Sequence, residues 1–398
     1  MNKFVIESPF RLSKGGLFYG LLLRLRLIKE NRYYPWRRIV LFTGLTWLPL
    51  LVMTAIDGTL AGGSVEIPFL QDPVPHTRFL IVLPLLVFAD MIIDPSVASV
   101  VRHFQICDLV PDEADPHFRK AFEKLVRQRD AAWIDVALIV LAFGLVWIST
   151  FKFGHSTREL ELPSWASTAP GNVEMLTSAG RWFVLVSTPF ILFVLFRWIW
   201  RLIIWIGFMN RISRLRLALQ STHPDKVGGL GLLTEAQFSF GVIFAAVGAM
   251  MSSTLASEII HSGRTLSDVQ WEIIGFVLIS FAIITGPLCT FFSQLFGAKR
   301  RGLMQYSALA YQLSEAFQTR WIRNSNDGRG DDLVTAVDPS AVADYSVIYE
   351  TVSNIRLIPI KKQKVIGLII ILVAPFIPLI FTQISIKDAL QRLAQTFV

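Results

Sequence analysis

The chain has 398 residues, 53% of them hydrophobic and 17% charged, with a formal net charge of +8. So apolar a composition excludes a disordered chain, and two cysteines exclude a disulfide framework. The positive charge has no nucleic-acid recognition module beside it, and its residues line the edges of apolar segments; membrane lipids, anionic on the cytoplasmic side, are the expected partner, and nucleic acid is not.

In chain order, residues 1–38 form a basic segment with nine Lys and Arg and no compact apolar core followed by small residues, so no cleavable signal is expected. Within it GLFYGLLLRLRLI, 16–28, is too short and too charged to span a bilayer. It is expected to lie along the interface, with Arg24 and Arg26 at headgroups and Tyr33, Tyr34 and Trp36 in the aromatic belt. Seven apolar stretches follow, near Ile39 to Ile56, Phe79 to Val97, Ala132 to Phe151, Trp182 to Met209, Phe238 to Ser257, Ile273 to Gly297 and Val365 to Ile384. Each approaches the length a membrane helix needs, and only helices satisfy their own backbone hydrogen bonds in lipid.

The fold class is therefore all-α, a polytopic helical membrane protein of about seven spans. Basic residues number nine, six, four and ten in the segments 1–38, 98–131, 210–237 and 298–364, but one, three, one and two in 57–78, 152–181, 258–272 and after 384. Lys and Arg are retained inside during insertion, so the N-terminus is expected to be cytoplasmic and the C-terminus outside. The organisation read from this is a segment 1–38, a six-span bundle over 39–297 with cytoplasmic helices in 98–131 and a loop at 210–237, a cytoplasmic hairpin over 298–364, and a seventh span with a short external tail over 365–398. The outer loops are short and rich in Gly, Pro and Ser.

Charges inside spans are functional candidates by default. Asp90 and Asp94 share a helix face, Asp135 opens the third span, and Arg197 and Arg201 share a face of the fourth. At 1.5 Å per residue from the outer ends, Asp90 comes out about 17 Å deep, Asp94 and Arg197 about 22 Å, Asp135 about 25 Å and Arg201 about 28 Å. The last four are expected to meet as an ion-paired cluster that either gates a polar path or locks helices together, with Arg197 alternatively snorkelling inward. Trp198, Trp200 and Trp205 are expected to form an interfacial girdle.

The loop STHPDKVGGLGLL, 221–233, offers His223, Asp225, Lys226, Gly228, Gly229 and Gly231 as a rigid turn, or as amides and a cation for an anion; its spacing is not that of a P-loop. LALQSTHPDK resembles the signature of J-domain cochaperones, but the adjoining spans leave no room for that module's other helices. With VAPFIPLI at 373–380, the HPD-x-x-GGLG pattern resembles uncharacterised bacterial multi-pass membrane proteins. That resemblance implies a bacterial inner-membrane location and supplies no activity.

The run PDEADPHF, 111–118, suits a capped helix start better than a metal shell, and no GxSxG or HExxH occurs. No enzyme activity, metal or cofactor is expected. Gly241, Ala245, Ala246, Gly248 and Ala249 mark a close-packing fifth span, and Pro287, Pro375 and Pro378 predict kinks, giving a surface on which copies of the chain could associate. Two functions remain: a channel or transporter-like protein using the buried charges, or a scaffold or sensor binding protein or lipid at its cytoplasmic face.

Overall fold

A computed structural model describes residues 10–29, 32–62, 65–152, 163–167, 176–323 and 337–382. Among these residues the chain is almost wholly helical, and the one ladder pairs Ile28–Lys29 with Arg32–Tyr33. Helix α1 (Gly16–Arg24) precedes that ladder. Seven helices are long and apolar enough to cross a bilayer: α2 (Pro35–Ile56), α3 (Pro73–Ile106), α5 (Ala132–Thr150), α6 (Ser178–Ile212), α7 (Gly231–Ser262), α8 (Leu266–Cys289) and α11 (Lys362–Phe381). Helix α4 (Asp115–Asp130) joins α3 to α5, while α9 (Phe292–Phe317) and α10 (Val337–Ser353) pair between α8 and α11. This is the architecture of a multi-pass membrane protein, and its sides leave Val136, Val140 and Phe143 of α5 open, as lipid contact requires.

Several boundaries differ from the sequence expectation for identifiable reasons. Helix α2 starts at Pro35 rather than Ile39, because proline suits a first helical turn, and this brings Arg38 into the span. Helix α3 runs on to Ile106, so the helix expected to begin at 98 is its continuation. Helix α8 stops at Cys289, eight residues before the expected end. Pro287 lacks an amide, a turn closes from Thr290 N to Pro287 O at 3.4 Å, and α9 begins at Phe292. In α11 the stretch carrying Pro375 and Pro378 tightens to a 3-10 helix from Ala374. The expected external end of that span, past Thr382, lies outside the described residues.

Two further prolines, Pro84 and Pro189, follow π-turns at Thr77–Val82 and Phe183–Ser187. A proline cannot return a hydrogen bond to the preceding turn, and the widened turns absorb that loss. They meet where the Phe79 and Phe183 rings pack edge to face at 6.1 Å. The glycines of α7 act as expected: a Cβ at Gly248 would stand 3.2 Å from Phe276 of α8, and one at Gly241 would stand 3.2 Å from Leu368 of α11. These close approaches let three helices pack in one group.

The connections gather on two faces. On one, which we term the basic face, Ala218 N donates to Leu109 O at 2.9 Å, Arg356 N to Lys226 O at 2.9 Å, and Ser221 Oγ to Ala298 O at 3.1 Å. On the other, Glu66 N donates to Pro163 O at 3.0 Å and Trp165 N to Ile67 O at 2.9 Å. This opposite face is no plain set of turns. Trp165 is buried and its indole donates to Asp72 Oδ2 at 2.9 Å, while Phe69 packs edge to face on Trp165 at 5.1 Å. Gly180 lies so close to the Ala166 carbonyl that any Cβ would overlap it.

Candidate functional site: a buried charge cluster

Asp90 and Asp94 lie one turn apart on α3, and Arg197 and Arg201 one turn apart on α6, so each helix aims two charges into the same layer of the bundle. Asp135 comes from the first turn of α5 and Arg38 from the first turn of α2. All six are buried, and three guanidinium groups balance three carboxylates. Asp90 is bound through one oxygen to Arg38 and faces Arg201 at 3.8 Å through the other. Asp135 pairs with Arg197 at 3.0 Å. Charges removed from water are tolerable only when paired and hydrogen-bonded in this way.

The remaining bonds go to the N-terminal segment. Ser13 gives its amide to Asp94 at 2.9 Å and its hydroxyl to the other Asp94 oxygen, and its carbonyl accepts from Arg201 at 2.6 Å. The Gly15 carbonyl accepts from Arg197 at 3.3 Å, and Asp135 takes the Phe18 amide at 2.9 Å. Arg129 of α4 donates to the Arg11 carbonyl at 2.9 Å. Asp135 therefore neutralises an arginine and satisfies an otherwise orphaned amide at the start of α1, where a negative charge also suits the helix dipole. Gly16, at φ +81°, has no room for a Cβ against this carboxylate.

Of the four charges expected to meet, Asp135 and Arg197 pair with each other, while Arg201 faces Asp90. Asp94 holds Ser13 rather than Arg197, and Arg197 does not snorkel, since it is buried between Asp135 and the Phe18 ring, 4.7 Å away. Trp198 and Trp205 are core residues rather than an interfacial girdle: Trp198 bonds Leu86 O at 2.8 Å and stacks on Arg201 at 4.8 Å. Trp200 reaches Gln128 O at 3.3 Å. Sequence reasoning missed Arg38 and Ser13. Arg38 reads as one more pre-span basic residue unless Pro35 is taken as the helix start, and Ser13 carries no local signal.

The cavity at the cluster measures about 30 Å³ and is bordered by Ser13, Arg38, Asp90, Arg197 and Arg201 together with apolar side chains. That is room for one or two waters and for no organic solute. Among the described residues Arg38 Nε has no protein acceptor, and such a water would satisfy it.

The second group of candidates forms a rigid turn on the basic face. The Asp225 carboxylate accepts from the amides of Val227 at 2.9 Å, Gly229 at 3.1 Å and Gly231 at 3.0 Å, and lies 2.8 Å from His223 Nδ1. Burial pushes its pKa up, but the three amides and His223 more than offset this and hold it below the usual carboxylate value. Lys226, Gly228 and Gly229 take the positive φ values the turn demands. The amides expected to face an anion are thus already occupied by the loop's own acid. His103 bonds Gly229 O at 2.8 Å, and Arg356 bonds Asp225 O at 2.7 Å, so the turn ties α3 to the chain after α10.

The run 111–118 starts α4 at Asp115 with Ala114 at the cap and no side-chain capping bond, in place of the side-chain cap its spacing suggests. Among the described residues no three His, Cys, Asp or Glu are grouped to hold a metal, and Cys107 and Cys289 are free thiols. No protein family, curated protein or solved structure matches this chain.

Proposed function

We propose that this is a scaffold or sensor of the bacterial inner membrane, with its basic face cytoplasmic, which binds a partner protein through the α9–α10 hairpin and uses the charge cluster to seat its own N-terminal segment. The observation that carries this reading is the destination of the charges. Asp90, Asp94, Asp135, Arg197 and Arg201 are spent on one another, on Arg38 and on the backbone of Ser13 to Phe18, around a space of about 30 Å³. The hairpin fits a docking role, since Met304, Tyr311 and Val347 point outward from a pair of helices that buries little.

A second reading keeps the transport class. The segment Ser13 to Phe18 lies across the cluster, and its release would uncover six charges from four spans. Ion and proton flux in proteoliposomes separates the two, comparing the parent with Gly16→Leu, which prevents α1 from seating. The scaffold reading expects no flux from either protein across a panel of ions and pH gradients, with folded protein confirmed. Flux from Gly16→Leu alone overturns it in favour of a path that the segment closes, and flux from the parent overturns it in favour of a path that stands open with the segment seated.

A further inference from the structure

A far larger space lies on the other side of α1. A groove of about 440 Å³ runs between α1 and α5, lined by Gly16, Leu17, Gly20, Leu21 and Ile139 and ending at Arg24. Its size is that of a ligand site. Its floor is open because α1 carries glycine there: a Cβ at Gly20 would meet nothing within 4 Å. Its walls are half-exposed leucine and isoleucine, continuous with the lipid-facing Val136 and Val140 of α5. Arg24 is exposed, closes the apolar run of α1 and stands eleven residues before the first turn of α2, a position that suits a side chain at headgroup level.

We propose that this groove binds one anionic phospholipid, its acyl chain along Leu17, Leu21 and Ile139 and its phosphate on Arg24. Charge selects the occupant. Arg24 lines the groove and is exposed, and the acid within the groove, Asp135, is already neutralised by Arg197. An anionic headgroup at an apolar groove satisfies both ends of such a site. A second copy docked symmetrically on this groove would bring its own Arg24 against this one and be repelled. The inference rests on the membrane placement alone and holds whether the hairpin binds a partner or the charges conduct.

The test is native mass spectrometry of the whole purified protein, exchanged into detergent with equal phosphatidylglycerol and phosphatidylcholine. The parent is expected to retain one phosphatidylglycerol about fivefold in preference to phosphatidylcholine, the effect of one arginine at the headgroup. Arg24→Gln should abolish the preference, Gly20→Trp should fill the groove and remove both lipids, and Arg300→Gln, remote on α9, should change nothing. Ile139→Trp fills the groove from the other wall, should Gly20→Trp fail to fold. Equal retention of the two lipids by the parent, an unchanged preference in Arg24→Gln, or undiminished retention in the folded tryptophan variants would each overturn the proposal.

Discussion

Asp135 Oδ1 stands 3.0 Å from Arg197 Nε while Oδ2 accepts the Phe18 amide at 2.9 Å, so one carboxylate fixes both a span and the start of α1. Removing either partner strands a buried charge. Asp135→Asn and Arg197→Gln are each expected to lower stability by about 3–5 kcal/mol. The double variant should cost less than their sum, whereas Asp94→Asn and Arg197→Gln, which occupy different bonds, should combine nearly additively. Thermal unfolding in detergent reads both cycles, and strong coupling between Asp94 and Arg197 with none between Asp135 and Arg197 would contradict the pairing.

The N-terminal segment should be as protected as a core helix. Amides of residues 10–24 are expected to exchange slowly in the parent, because Ser13 bonds both Asp94 and Arg201. Gly16→Ala places a Cβ against Asp135 at a backbone angle of +81° and should cost about 1–3 kcal/mol. Its exchange should quicken over this segment while α7 and α8 stay protected. Uniform acceleration across the bundle would show that the segment is not a separable unit.

What the sequence disclosed follows from which signals are local. A run such as Val136 to Trp147 is apolar over its whole length, so its helix and its need for lipid are evident without neighbours. The inward charges were visible for the same reason, as breaks in those runs. Their partners were not. Ser13 and Asp94 stand 81 positions apart, a separation that leaves no periodic trace, and a depth scale that fixes height leaves the direction around each helix free. Arg38 was hidden by a span boundary drawn four residues late. The amide-rich turn at 228–231 was legible as glycine, but that Asp225 fills it depends on backbone angles which composition does not encode.

The Asp225 turn predicts acid sensitivity on the basic face. Its folded pKa lies below the reference value of 3.8, so the stability it contributes is fully present above that value and is lost as pH falls through the folded pKa. Asp225→Asn keeps an acceptor but loses the charge, and is expected to cost about 2 kcal/mol near neutral pH. The gap between parent and variant should shrink below pH 3.8. A gap that persists unchanged into acid would mean that the carboxylate is not bound in its ionised form.

Asp72 on the opposite face has the reverse sign. Burial raises its pKa, outweighing the help of the Trp165 indole, the Val74 amide and the positive charges of Arg78 and His261. A carboxyl whose folded pKa is raised binds a proton more readily folded than unfolded, so its contribution falls as pH rises from 3.8 through the folded value. The Trp165 indole ties the 163–167 segment to this group, and its environment should report the titration. We expect the emission assigned by subtracting a Trp165→Phe variant to shift over that window, and Asp72→Asn to remove the shift while flattening this part of the stability profile. The two faces are thus expected to loosen at opposite ends of the acid range, the turn at Asp225 on acidification and the cap at Asp72 on its reversal. A Trp165 signal that ignores pH while Asp225→Asn behaves as predicted would show that Asp72 stays in one protonation state throughout.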